Sequence, residues 1–325
     1  MMFFRSLVAA ALVALAINFP AFANLTPEQQ QAKERGVMLF NQYRVAEPEL
    51  RVAAEAGDRE AQYYLAEELR QMNRYITAEA LKWYEAAASQ GDYYAMIRLG
   101  RSGKDLCAVM GNCTVGQKTP VEWLRQALMQ AKPEAEQGDA EAMYVMYHIT
   151  GNRDWLEKSA EAGHAIAQFW MATGDRQGEG FFFLPWERSK AVKKWFKASA
   201  EGGYPRGMME YVSILYEDGD MEGVRFWTKQ ASEAGFEGAI SNYGAYLAHE
   251  PDQVGYPLDL VKGYGLIYLL KELDGGGGVE SYVEYMLPKI AAKMTPEQIE
   301  QAKKFAEEWK ATHPPLSFFP HKLGY

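Results

Sequence analysis

Five histidines, His148, His164, His249, His313 and His321, are the side chains of this 325-residue chain whose ordinary pKa suits proton transfer near neutrality, and they are also its natural metal ligands. They are scattered. None stands in His-Glu-x-x-His, the helical spacing that sets two imidazoles on one zinc ion beside a general base. His164 follows Gly163 at a helix start, where it is read as an ordinary surface residue. Neither Gly-x-Ser-x-Gly nor Ser-x-x-Lys occurs, so the nucleophile arrangements of the usual serine hydrolases and penicillin-recognising enzymes are missing. The run Gly275 to Gly278 resembles a phosphate cradle, but Val279-Glu280 follows where such a loop needs Lys and then Ser or Thr; it is read as a flexible connector. The carboxylate pairs Glu67-Glu68 and Glu307-Glu308 have no recognisable partner and are read as solvated helical faces. No catalytic residue, cofactor-binding residue or metal ligand is therefore assigned, and the chain is expected not to be an enzyme.

Cys107 and Cys113 are the only cysteines, and their role depends on the compartment. Met1 to Arg5 carries one positive charge, Leu7 to Phe19 is apolar, and Ala21-Phe22-Ala23 has the small-x-small form of a signal cleavage site. The apolar run is shorter than the roughly 20 residues needed to span a bilayer. Residues 1–23 are thus expected to be a cleavable signal peptide, with Asn24 first in the mature chain and no stable membrane insertion afterwards. In an oxidising compartment two cysteines sharing one insertion are expected to form a disulfide, worth about 2 kcal/mol by loop closure. A redox-active site would want Cys-x-x-Cys, which is absent.

The elements that must position all of these residues are announced by a phrase that returns six times. A glycine, at 57, 91, 138, 163, 203 and 235, is followed four residues on by Ala61, Ala95, Ala142, Ala167, Gly207 and Ala239. Four further on stand Leu65, Leu99, Met146, Met171, Tyr211 and Tyr243. Trp83, Trp155, Trp195 and Trp227 precede four of the glycines by eight residues, and Trp83, Trp195 and Trp227 are expected to be largely buried between helices. The segment before each glycine is rich in alanine and helix formers, and glycine ends it in the left-handed conformation. In the next helix the small residue and the large apolar one share a face, and the small one admits the preceding helix closely. The unit is a pair of antiparallel helices. One pair cannot bury its own apolar face, so the pairs are expected to stack into an all-α, right-handed α-solenoid over residues 24–312, with 313–325 as an extended tail. Spacings of 25 to 47 residues between glycines make the array irregular. One insertion, Arg101 to Thr119, holds both cysteines; another, Thr173 to Trp186, holds Phe181, Phe182, Phe183 and Trp186. Pro133 predicts an extended or kinked helix before Gly138.

Segments such as Lys82 to Ala95 and Trp195 to Gly203 resemble the Sel1-like repeat, a relative of the tetratricopeptide repeat. Leu260-Val261-Lys262-Gly263-Tyr264-Gly265 resembles the opening of a terminal helix of that family, and Met294 to Ile299 the closing capping helix of its bacterial members. The resemblance spans residues 27 to 312 and implies a scaffold or adaptor for protein complexes. Some exported bacterial members that this chain resembles are immunity proteins against phospholipase effectors of the type VI secretion system. With the export signal, that implies a soluble periplasmic protein that binds a toxic enzyme without chemistry of its own. A periplasmic scaffold or regulator of an envelope complex is the alternative that the same family implies.

Composition narrows the partner. With 34 Lys and Arg against 43 Asp and Glu, the net charge of −9 leaves no basic face for nucleic acid, and a protein with a basic or mixed-charge surface is the expected partner. Aromatic candidates for its anchors fall in two groups. Phe181, Phe182, Phe183 and Trp186 sit in an insertion; Tyr63, Tyr144 and Phe169 stand six residues after their glycines, on helices that line the concave surface in related solenoids. The tail, Pro314 to Tyr325, carries Phe318 and Phe319 between prolines and is expected either to fold back over the solenoid or to bind a partner. Mass spectrometry of the exported protein should find Asn24 at the N-terminus and a peptide in which Cys107 is joined to Cys113; a cytosolic chain that keeps Met1 would overturn the assignment to the periplasm.

Overall fold

Helix starts and stops follow from caps that the sequence carries. The computed structural model describes residues 24–273 and 278–324; the expected signal peptide and Gly275 to Gly277 of the glycine run lie outside the described residues. The helices in chain order are α1 (Pro27–Asn41), α2 (Glu47–Glu55), α3 (Arg59–Asn73), α4 (Ala78–Ser89), α5 (Tyr93–Gly100) and the short α6 (Leu106–Met110). Then come α7 (Pro120–Glu136), α8 (Ala140–Thr150), α9 (Arg153–Glu161), α10 (Ala165–Arg176), α11 (Pro185–Glu201) and α12 (Pro205–Glu217). The series closes with α13 (Met221–Glu233), α14 (Glu237–Leu247), α15 (Leu260–Leu269), α16 (Val279–Ala291) and α17 (Pro296–Thr312). Among the described residues the only β-structure is an isolated bridge between Phe236 and Ser317.

Each of the six repeated glycines joins two helices and has φ between 83° and 100°. The residue after it donates its backbone N–H to the carbonyl five positions back, at 3.0–3.1 Å, from Asp58 to Ala53 through to Phe236 to Ala231. That bond closes the outgoing helix and turns the chain back. In four units the same residue then caps the next helix: Asp58, Asp92, Asp139 and His164 accept from the N–H groups of Ala61, Ala95, Ala142 and Ala167. Tyr204 and Phe236 cannot cap in this way. There Pro205 stands at the first turn of α12, and the N–H of Glu237 is taken by the carbonyl of Ser317 at 3.1 Å.

From α1 to α5 and from α7 to α15 each helix packs on the next, α5 packs on α7 across the α6 insertion, and α15 packs on both α16 and α17, which makes the molecule an α-solenoid of stacked helix pairs. The small residues of the phrase sit at the crossings. Ala61, Ala95, Ala167 and Ala239 are wholly buried, and a Cβ on Gly207 would lie 2.2 Å from Ser199 Oγ, which is itself held by the Ala165 carbonyl at 2.7 Å. The apolar core runs through successive clusters, from Leu50, Leu65 and Leu99, through Phe169, Phe196 and Tyr211, to Ile240, Leu266 and Trp309. Trp83 and Trp195 are buried; Trp227, expected to be buried, is only half-buried and packs against Tyr211, and Trp155 is half-buried as well.

The insertions are smaller than the sequence suggests. Thr173 to Arg176 complete α10, and Trp186 lies in the first turn of α11, so the aromatic loop reduces to residues 177–184. Cys107 and Cys113 are joined by a disulfide that closes the loop around α6. Pro133 lies inside a single uninterrupted α7, three residues from its end.

Two glycines separate crossing geometry from helix propensity. Gly207→Ala should lower unfolding stability by about 1–3 kcal/mol, because Ser199 must leave its bond to make room. Gly238→Ala, whose Cβ would meet only the Phe236 ring at 3.6 Å, should be neutral or stabilise by about 0.5–1 kcal/mol. Urea midpoints of the two variants check this; equal midpoints would show that the crossing is not tight.

Candidate binding groove

The second helix of each pair faces a common inner surface. Tyr94 of α5, Glu141, Tyr144 and His148 of α8, Phe169 and Trp170 of α10, and Tyr204 line a cavity of about 970 Å³ there. One further wall is the chain's own tail, Phe319 to Gly324.

After α17 the chain runs back across the inner face. Ser317 pairs with the turn at Gly235, donating to its carbonyl at 2.9 Å, while Phe318 donates to the Asn41 carbonyl at 2.9 Å and Gln42 Nε2 donates to the Leu316 carbonyl at 3.0 Å. The tail therefore ties the end of α1 to the turn between α13 and α14. Phe318 stacks on Tyr43 with centroids 4.7 Å apart, and Phe319 meets Phe236 edge-on at 6.0 Å. His321 lies against Trp170 and Phe169, centroids 4.8 and 5.8 Å away, with Nδ1 3.4 Å from the Tyr204 hydroxyl. Lys322 Nζ sits 4.7 Å over the Tyr94 ring, and Leu323 packs against the core beside Ile149.

Two polar clusters lie beside the far end of the tail, one buried around Glu67 and one around the more exposed Glu141. Glu67 is 2 % exposed and receives Arg98 through both oxygens at 2.6 and 3.2 Å, the Tyr84 hydroxyl at 2.7 Å and Arg70 at 3.1 Å. Arg98 in turn donates to the Gly324 carbonyl at 2.9 Å, and the Tyr63 hydroxyl donates to the Lys322 carbonyl. Burial works against the Arg98 charge, and Glu67 more than restores it, holding its pKa above the ordinary value. In the second cluster Glu141 receives His164 Nε2 at 2.7 Å and the Tyr94 hydroxyl. Burial opposes ionisation of Glu141, but these two hydrogen bonds prevail and hold its pKa below the usual range. His164 Nδ1 accepts from the Ala167 N–H, so the proton of a neutral ring sits on Nε2, facing Glu141.

These contacts revise two assignments made from sequence. Glu67 and Glu68 are not a solvated face: Glu67 neutralises Arg98, and Glu68 accepts the Ala46 N–H at 3.0 Å. His164 is not an ordinary surface residue; it caps α10 and pairs with Glu141. Tyr63, Tyr144 and Phe169 are buried, with the tail lying directly on Tyr63 and Phe169. Phe181, Phe183 and Trp186 are exposed, whereas Phe182 is half-buried with the Arg188 guanidinium 4.8 Å over its ring. Arg98 went unnoticed and Glu67 was read as solvated because each is an ordinary helical charge in its own segment, and only the approach of α3 to α5 makes them partners. Among the described residues no group of three or more His, Cys, Asp or Glu side chains is placed to hold a metal.

A stack of helix pairs around an inner groove is the architecture of an α-solenoid. No protein-family model matches this chain and no curated protein does. Among solved structures it is similar to a protective antigen present in uropathogenic Escherichia coli strains displaying an SLR fold, at 20% identity and a TM-score of 0.48. That alignment covers 88% of this chain and 62% of the antigen, so the chain spans about three fifths of the antigen's length. It is also similar to a Sel1 repeat protein from Oxalobacter formigenes, at 20% identity and a TM-score of 0.42, covering 88% of this chain and 87% of that one.

The inner face makes stability depend on pH. Burial, helped by Arg101, lowers the His148 pKa to about 4, and burial, helped by Arg206, lowers that of His321 to about 4; Glu141 and His164 also face His148, and Tyr204 faces His321. Both rings titrate near 6.5 once the chain unfolds. Between pH 6.5 and about 4 the unfolded chain therefore binds protons that the folded chain refuses, so stability should fall as pH drops through that window. His148→Gln combined with His321→Gln should flatten the fall in urea midpoint across it. An unchanged slope would contradict the neutral, desolvated state of both rings.

Proposed function

We propose that this chain is a non-catalytic, protein-binding solenoid of the periplasm that neutralises a secreted toxic enzyme, of the phospholipase class, by direct contact. The signal-like first 23 residues support the compartment, and the resemblance to exported immunity proteins supports the target. Net charge −9 suits a basic or mixed-charge partner surface.

The observation that carries the reading is the aromatic loop before α11. Phe181 is 90 % exposed, Phe183 82 % and Trp186 56 %. The loop that displays them is fastened from beneath. Arg188 donates to the carbonyls of Asp175 and Glu179, both at 2.7 Å, and Arg153 bridges the side chains of Asp175 and Glu179 at 2.5 and 2.8 Å. Aromatics held rigidly in water cost free energy unless something covers them, and rigid display lowers the ordering cost of binding. Phe182 props the loop under Arg188, so the anchors are Phe181, Phe183 and Trp186.

An envelope scaffold is the second reading, favoured by a second apolar display. Val109 and Val115, 83 % and 93 % exposed, sit on the disulfide-closed insertion, which like the aromatic loop connects one helix pair to the next. That places both on the same edge of the solenoid, opposite the glycine turns.

Co-expression with a periplasm-directed phospholipase effector encoded beside this protein should restore growth. Phe181→Ala, Phe183→Ala and Trp186→Ala together should weaken the complex at least tenfold while thermal unfolding stays where it is. Normal binding by that variant would move the contact elsewhere, and growth rescue by a stable variant that no longer binds would replace neutralisation with the scaffold reading.

A further inference from the structure

The tail meets the inner groove as a peptide meets a receptor. From Phe318 onward it is bent, with Phe319 at φ 47° and a turn closed by the Gly324 N–H on the His321 carbonyl at 2.8 Å. Most of its hydrogen bonds from the groove are to its main chain: Asn41 accepts from Phe318, Tyr63 and Arg98 donate to the carbonyls of Lys322 and Gly324, and Arg206 Nη1 lies 3.5 Å from the Phe319 carbonyl. Contacts to the main chain depend on backbone path rather than on side-chain identity. Side-chain selectivity is added at three points: the Trp170 and Phe169 wall against His321, the Tyr94 ring under Lys322, and the apolar seat of Leu323.

Two features show that the tail does not exhaust the site. It is deeply buried only at its root, Leu316 and Ser317, which the cap of α14 requires; Phe318 to Leu323 are half-buried or exposed. Beside it the cavity of about 970 Å³ is open, with its far wall formed by Arg176, Gln177 and Glu210, none of which bonds the tail. The imidazole Nε2 of His321 is buried in the groove without a hydrogen-bond partner, so the seated portion leaves one polar atom unpaired.

We infer that the inner groove is a receptor site for a non-helical, aromatic and lysine-containing segment of a partner protein that takes up the same turn, and that residues 318–324 are its exchangeable occupant in cis. The inference rests on the reading of the chain as a protein-binding solenoid but uses a surface separate from the exposed aromatic loop. The tail sets the threshold for entry: a partner segment must offer the same lysine and leucine contacts plus contacts to the unoccupied wall.

The test uses the full chain and a fluorescent synthetic peptide, Ser317 to Tyr325, followed by anisotropy. The chain carrying Lys322→Glu and Leu323→Asp, which unseats its own tail, should bind the peptide at least tenfold more tightly than the unmodified chain does. A peptide carrying the same two changes should not bind. The inference is overturned if the substituted chain, with helicity and melting unchanged, ignores the peptide or binds it no better than the unmodified chain. Should the double variant unfold, Lys322→Ala alone must give a smaller gain of the same sign, and no gain again overturns it. Peptide binding should survive Phe181→Ala, Phe183→Ala and Trp186→Ala, so failure here and failure at the aromatic loop are read separately.

Discussion

In each repeated pair the two helices approach at a residue whose side chain is a methyl group or a hydrogen atom. The positive-φ glycine before it returns the chain at once, and the next residue, where it is Asp or His, caps the new helix with its own side chain. Everything else depends on that closeness. Helices held this near leave no voids for the large apolar residue one turn on, and the inner faces of successive pairs line up into one surface. The same device recurs outside the repeated phrase: a Cβ on Gly100 would lie 2.3 Å from Leu124, and one on Gly263 2.8 Å from the Gly244 carbonyl. Irregular spacing is tolerated because insertions fall in the connections between pairs, where only the edge of the stack is affected.

An open solenoid leaves its inner face and both ends exposed, and here one segment attends to all three. The root of the tail is structural, since Ser317 supplies the partner that the N–H of Glu237 lacks where Phe236 offers no capping side chain. Beyond it the tail covers aromatic residues of the groove and joins α1 to the sixth glycine turn. Glu67 makes this possible at low cost. It keeps Arg98 charged and oriented inside the protein, so that the guanidinium still has a donor left for a passing carbonyl.

Side chains that could do chemistry are instead absorbed by the structure. His164 is a cap and a hydrogen-bond donor, His148 and His321 are held neutral by burial, and Glu141 is fixed by two donors. Outward display falls to the aromatic loop and the disulfide-closed insertion, both on the edge opposite the glycine turns. The molecule thus divides its surfaces, with a groove that is partly self-occupied and an edge that is open.

Local sequence carried the helix pairs, because glycine turns, caps and small crossing residues act within ten or so positions of one another. It also carried the solenoid, since a repeated unit with one unburied apolar face has few ways to satisfy it. Burial of Trp83 and Trp195 followed from the same register, whereas Trp155 and Trp227 are only half-buried. The candidate groove was legible only in outline: Tyr63, Tyr144 and Phe169 share a position in the phrase, but nothing local told that Glu67 would meet Arg98, 31 positions away, or that His321 would rest on Trp170. Prolines marked the tail as extended without saying where it would lie. Its path was decided by the curvature of the stack, which brings Asn41 and Gly235 within reach of one short segment that then bends at Phe319. Curvature sums small rotations at every crossing, and each rotation is set by side-chain packing between distant segments rather than by the residues of any one helix.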